Sequence, residues 1–437
     1  RFSPETGLTG RRCVKKQGVK MELQYGRGKI KLNLPSGISA RVLQTREEKP
    51  LHDPEKALLE ALRSPIASPP LKDLVSAGET VCLLVNDSTR VARSEFFLPV
   101  LVDELIGAGI GEKDSIIVFA NGSHRAMSDS EMKALIGERV ASRIVLYNHD
   151  SRNEDNLVFM GETSFCTPVY VNKLVIEADR RILTGSVVHH FFAGFGGGRK
   201  ALIPGIAGWK TISKNHSLLL DDRARTGRLK GNPVHEDLLE AARMVGGDFL
   251  LNTVLNEQKE FLGFFAGDLV EAHLAACVMV DRVNGVELDH LADVVIASCG
   301  GYPKDINMYQ SHKTLDNAMQ ALKPGGQMIL LAKCAEGIGS TTVEEWADKY
   351  RSFDELEAAI RREFVLGGHK AYAVAKLLKQ GKVYLVSELD PKKARLLGFI
   401  HVSSLNEAIE AVYGDNRDQS TYIIPQGSLV VPRLRGS

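Results

Sequence analysis

Short apolar, β-branched runs alternate with amphipathic stretches along most of this chain. Val81–Val85, Ile116–Phe119, Ile144–Tyr147, Val169–Val175 and Ile182–Leu183 predict strands in the first half, with helices predicted between them at Leu101–Ile110 and Asp129–Ile136. A second series runs through Val294–Ala297, Met328–Leu331, Val383–Val386 and Ile400–Val402. Helix starts in this half are legible. Ser352 and Glu355 have capping-box spacing ahead of Leu356, Ala359 and Ile360, and Ser404 with Glu407 repeats it ahead of Ile409 and Val412. This alternation predicts an α/β fold: two α/β domains with mostly parallel, helix-covered sheets and an active-site cleft between them. The expected division lies near residues 275–290. It leaves an extension over residues 1–20, an N-terminal domain over 21–280 and a C-terminal domain over 281–437, whose last strand is expected to return to the first domain.

The two ends read as peripheral. Arg11-Arg12 and Lys15-Lys16 make the first 20 residues a basic leader, because the first strand signal comes at Leu23-Gln24-Tyr25. Leu429 to Arg433 and the closing Arg435-Gly436-Ser437 resemble an appended protease-site tag, and are set aside from the fold.

Composition removes several function classes. Lys and Arg number 55 against 54 Asp and Glu, so there is no basic footprint for nucleic acid or an anionic membrane surface. No apolar run approaches the roughly 20 residues of a spanning helix, and a cytoplasmic protein is expected. Cys13, Cys82, Cys166, Cys277, Cys299 and Cys334 form no C-x-x-C pair, which argues for reduced, mostly buried thiols rather than a zinc site or a disulfide framework.

Chemistry concentrates in His189-His190-Phe191-Phe192-Ala193-Gly194-Phe195-Gly196-Gly197-Gly198-Arg199-Lys200. Its glycines let backbone N–H groups approach a phosphate or cofactor, while His and Lys move protons, ligate metals or form covalent links. Each feature alone has an ordinary structural explanation: a loop, a solvated Arg-Lys pair, a hydrogen-bonded histidine. Their concentration just after Ile182-Leu183 places them at a strand terminus, where open α/β sheets bind ligands. Other polar groups follow predicted strands in the same way: Asn86 to Arg90, Asn121 to Arg125, His149 to Ser151, and Gly300 to Pro303 leading on to Tyr309, Gln310 and Lys313.

The run from His190 to Lys200, followed by Pro204-Gly205-Ile206-Ala207 and Asn215-His216, resembles the nickel-pincer lactate racemase family, as do Asp87-Ser88-Thr89-Arg90 and Asn121 to Arg125. The similarity extends in order from about Met21 to about Ile424. It implies a nickel-pincer nucleotide, that is, nickel (Ni) held by pyridinium-3-thioamide-5-thiocarboxylic acid mononucleotide, bound in the 21–280 domain and made by separate cofactor-biosynthesis proteins. By matching positions, Lys200 tethers the cofactor, His216 ligates nickel, and Asp87, Thr89, Gly197 and Gly198 lie beside the cofactor. His124 and His190 are the acid/base pair. Arg90 and Lys313 face the substrate carboxylate, and Tyr309 and Gln310 line the pocket. The implied reaction is racemisation or epimerisation of a small-molecule 2-hydroxy acid through hydride transfer and a 2-keto acid, and two imidazoles suit the two hands of such a substrate.

Rival readings are a non-catalytic carrier of the nucleotide and a metal-dependent hydrolase using His124, His190 and His216. His189 and His312 have no matched role. Ser88 and Asn121 depart from the family pattern, and the aromatic that the pattern leads one to expect near Gly368-His369-Lys370 is absent. Those last residues widen the expectation from lactate to a larger or more polar 2-hydroxy acid.

Overall fold

The computed structural model describes residues 13–14, 18–414 and 416–435. The chain divides into two compact units, one of residues 47–283 and one that joins residues 1–46 to 284–437.

In the 47–283 unit, six strands form a sheet in the order Phe261–Gly267, Phe249–Leu255, Arg180–Ser186, Val81–Asn86, Ser115–Ala120, Val145–Asn148. All neighbours run parallel except the Phe261–Gly267 edge strand. Val81 to Val85 are all buried, as a strand covered on both faces requires, and their unbroken apolar run reflects this. Helices Ser94–Gly107 and Asp129–Ile136 cover the sheet through Phe97, Leu101, Leu105, Met132 and Ile136. The second begins with a full capping box between Ser128 and Glu131. Parallel direction puts Asn86, Asn121, His149 and the His189-His190 segment beyond the carboxyl ends of their strands, at one edge of this sheet.

The other unit carries a seven-stranded sheet in the order Cys13–Val14, Ala40–Val42, Thr421–Ile424, Ala292–Ser298, Leu322–Leu331, Gly381–Val386, Ile400–Val402. It is parallel beyond the first pair. Ser352 and Glu355 complete their capping box, but Glu407 turns to the N–H and hydroxyl of Ser403, so only the Ser404 half of the second box forms.

Several expectations are corrected. Residues 21–46 group with 284–437 rather than with the first domain, because Ala40–Val42 pairs with Thr421–Ile424, and Leu23, Leu32 and Leu34 join Val294, Ile296 and Ile423 in one core. The Thr421–Ile424 strand stays in that same unit. Nor is the tail an appendage: Val431–Leu434 pairs in parallel with Gly285–Leu288, and Val430 and Val431 are fully buried. The strand expected at Val169–Val175 forms only as far as Asn172, and outside the six-stranded sheet. Pro168–Asn172 instead makes an antiparallel hairpin with Leu157–Glu162 and then turns into a short helix, Lys173–Glu177. Most of the basic leader lies outside the described residues. Cys82, Cys277, Cys299 and Cys334 are buried free thiols and Cys166 is exposed. Among the described residues, no helix is long and apolar enough to cross a membrane.

Candidate active site

The turn after Val81–Asn86 and the one after Ser115–Ala120 bring Asp87, Thr89 and His124 into contact. His124 Nδ1 lies 2.5 Å from Asp87 Oδ2, while Thr89 donates its N–H (3.1 Å) and hydroxyl (2.7 Å) to Asp87 Oδ1. Burial works to raise the Asp87 carboxyl, but hydrogen bonds from His124 and Thr89, with the positive charges of His124 and Arg90, hold it below its ordinary value. Asp87 is therefore a carboxylate. Neutral His124 then carries its proton on Nδ1 and keeps a lone pair on Nε2. Arg90 donates to the Thr89 carbonyl and hydroxyl at 3.4 Å each.

His190 has the opposite arrangement. The Ala193 N–H donates to its Nδ1 at 3.3 Å, which in the neutral ring leaves the proton on Nε2. The Phe192 ring is the hub of this region. It meets the His190 ring edge-on at 4.6 Å and the His216 ring at 5.0 Å, and the Lys200 Nζ lies 5.7 Å from its centre. His216 comes from the Trp209–Ser217 helix. Lys200 is pushed well below the ordinary lysine value, first by burial and then by the positive charges of Arg199 and Arg90, which disfavours its charged form. His189, by contrast, pairs with Asp281 at 2.7 Å and packs on Phe195.

Gly197 and Gly198 have φ of 71° and 54°, in the left-handed region. A Cβ on Gly197 would meet Val187 and Asn252, and one on Gly198 would lie 2.6 Å from His273 Cγ. The chain's own packing thus demands glycine at both positions. Arg199 is 1% exposed, unlike the solvated Arg-Lys pair of the ordinary structural explanation; its guanidinium donates to the carbonyls of Ala193 (2.9 Å) and Phe195 (3.3 Å).

Tyr309, Gln310 and Lys313 lie in the other unit, on the Met308–Met319 helix, whose Asn307 cap accepts from the Gln310 N–H. Tyr309 is met there by Lys370, whose Nζ sits 5.4 Å from its ring centre and donates to His312 Nδ1 at 3.2 Å.

Residues 25–227 match the family model for the lactate racemase N-terminal domain, and residues 288–431 that for the lactate racemase C-terminal domain. The lactate racemase of Thermoanaerobacterium thermosaccharolyticum is 32% identical over 425 residues, covering 95% of this chain and 99% of the relative. The chain belongs to the lactate racemase family. The lactate racemase of Lactiplantibacillus plantarum is 31% identical over 385 residues, covering 86% of this chain and 90% of its own length. The structure of the lactate racemase apoprotein from T. thermosaccharolyticum superposes with a TM-score of 0.85 at 32% identity, over 95% of this chain and all of that one. A Thermotoga maritima protein shares the fold alone, with a TM-score of 0.65 at 20% identity. Family membership makes the protein an isomerase of the racemase class.

Three residues of this racemase-family site escaped the sequence reading: Phe192 as the hub, Arg199 as the brace of the glycine loop, and His273, whose Nε2 donates to the Gly196 carbonyl at 2.8 Å. No local pattern marks them, since each acts through residues distant in the chain or turned inward by the loop. Among the described residues, no three His, Cys, Asp or Glu side chains gather to hold a metal, so a metal beside His216 needs most of its donors from a bound group.

Proposed function

We propose that this family member racemises or epimerises a 2-hydroxy acid, the class to which the lactate of its relatives belongs, by reversible hydride transfer through a planar 2-keto acid. The observation that carries this reading is the opposite hydrogen bonding of the two histidines. His124 presents a lone pair at Nε2 and is ready as base, while His190 directs its Nε2 as a donor and acts as the acid from its imidazolium form. As His124 takes the hydroxyl proton, the C2–H electron pair leaves with its hydrogen as hydride and the carbonyl forms. Hydride returned to the other face, with a proton from the imidazolium form of His190 to the oxygen, gives the opposite hand and leaves His190 neutral and His124 protonated. Asp87 orients His124 and stabilises the imidazolium that forms. Arg90 and Lys313 bind the carboxylate, and Tyr309 and Gln310 line the pocket.

The residues present fit a nickel-pincer nucleotide. Lys200, whose charged form is disfavoured, offers an amine for the covalent link, and His216, on the same Phe192 ring, offers an imidazole to nickel. Asp87, Thr89, Gly197 and Gly198 lie beside it in this reading. When bound, the group supplies the electrophile that takes up the C2 hydride and gives it back. Loading requires nickel and the cofactor-biosynthesis proteins.

The test is co-production with those proteins, followed by intact-mass measurement and turnover of 2-deuterated substrate in ordinary water. Added mass on the native chain, its loss in Lys200→Ala, and deuterium retained in the racemised product are expected. Deuterium washed out to solvent would replace hydride transfer with proton abstraction, and unchanged added mass in Lys200→Ala would remove the tether.

A further inference from the structure

The Trp209–Ser217 helix buries Thr211, Ile212 and Asn215, and this face carries two polar anchors. The Thr211 hydroxyl donates to the Pro168 carbonyl at 2.6 Å and accepts from the Tyr170 N–H at 2.9 Å, which ties the start of the helix to the Leu157–Asn172 hairpin. Near the helix end, Asn215 gives its NH2 to Asp237 Oδ2 at 2.8 Å and to the Val234 carbonyl at 3.2 Å. Asp237, fully buried on the Pro233–Val245 helix, also accepts from the hydroxyls of Thr163 (2.5 Å) and Thr167 (2.9 Å) at the turn of that hairpin. One carboxyl group thus joins the hairpin, its own helix and the helix that carries His216.

The Pro233–Val245 helix holds Phe192 as well. Its cap residue, Asn232, accepts from the N–H groups of Val234 (3.0 Å) and His235 (3.3 Å) and donates its own NH2 to the Phe192 carbonyl at 2.8 Å. One helix therefore grips the backbone of Phe192 at its cap and, little more than a turn further on, the residue before His216. The Phe192 and His216 rings meet edge-on at 5.0 Å. The donors to Asp237 are two hydroxyls and an amide, and burying a carboxyl group among them carries a desolvation cost that a well-packed apolar side chain would avoid. Such a hub has a use where a neighbouring side chain must be held to a fraction of an ångström, as a metal ligand must.

We infer that Asp237 is a positioning residue for His216, acting through Asn215 to hold the imidazole against Phe192, where the proposed reaction needs a nickel ligand. This rests on the cofactor reading above. Asn215→Ala cuts the link and leaves both threonine bonds to Asp237, whereas Thr163→Val removes one bond to the same carboxyl group and leaves the link. Asp237→Asn keeps the link, since its oxygen can face Asn215 and its NH2 the Thr163 hydroxyl. In the apoprotein, the nuclear Overhauser contact between the His216 and Phe192 rings is expected to be lost in Asn215→Ala and kept in the other two variants. After co-production with the cofactor-biosynthesis proteins, Asn215→Ala should carry the native added mass but release nickel to EDTA at least about tenfold faster than the native chain, with the other two variants within about twofold of it. A hub that merely stabilised the fold would make Asn215→Ala and Thr163→Val alike in both readouts. That result, or native ring contact and native nickel release in Asn215→Ala, overturns the inference. If Asn215→Ala does not fold, Asn215→Ser, too short to reach Asp237, takes its place. A native chain that gains neither mass nor nickel refutes the cofactor reading, and the ring contact in the apoprotein then decides the positioning by itself.

Discussion

At the residue scale, the contact between Asp87 and His124 decides what the imidazole can do. A carboxylate on Nδ1 fixes the tautomer and supports the charged ring, whereas an amide at the same place can turn its NH2 toward Nδ1 and force the proton onto Nε2. Asp87→Asn should therefore leave the fold intact, since Asn keeps the side chain's size and an acceptor for Thr89, yet lower kcat by ~10²–10⁴. Circular dichroism and turnover in both directions check this. An Asp87→Asn enzyme with near-native kcat would show that His124 needs no carboxylate.

Elements explain why the site's glycines and its tail residues are what they are. The Gly194–Lys200 segment turns back on itself under Arg199 and His273, so the glycines serve the turn and the lysine is delivered at its end. The Val431–Leu434 strand shows the same dependence on distant partners. Its sequence, with Pro432 and flanking arginines, reads as an appended tag, yet its valines are buried and its backbone pairs with Gly285–Leu288. A chain ended after Gly427 should lose roughly 3 kcal/mol or more from the missing burial of Val430 and Val431 alone. Urea denaturation measures it, and an unchanged midpoint would return the segment to the status of a tag.

Across the whole molecule, buried neutral histidines set the response to acid. Burial, reinforced by Arg199, pushes His235 and His273 each down to about 3; burial and Lys370 do the same to His369, and His149 and His312 are lowered as well. Their folded forms stay neutral while the unfolded chain binds protons below the ordinary imidazole value of about 6.5. The stability that depends on neutrality is thus complete above about pH 6.5 and is lost as pH falls from there toward 3. Denaturation midpoints should decline already between pH 6.5 and 5, above the range where most carboxylates titrate. Equal midpoints across that interval would mean these rings are protonated without cost in the fold.

By itself the sequence determined the α/β class, the Asp129–Ile136 helix, the Ser352–Glu355 capping box, and the polar clusters at the carboxyl ends of Val81–Asn86 and Ser115–Ala120. These depend on periodicity and on groups within a few residues of one another, so local physics suffices. The family resemblance, carried by the long His190–Lys200 run, named the candidate site residues. Tertiary structure alone decided that residues 21–46 and the tail build the second unit, that Arg199 faces inward, that Phe192 gathers Lys200, His190 and His216, and that Lys370 lies on Tyr309 and His312. Strand pairing and burial join residues tens to hundreds of positions apart, and whether a charged side chain meets solvent or a carbonyl depends on which distant segment arrives beside it.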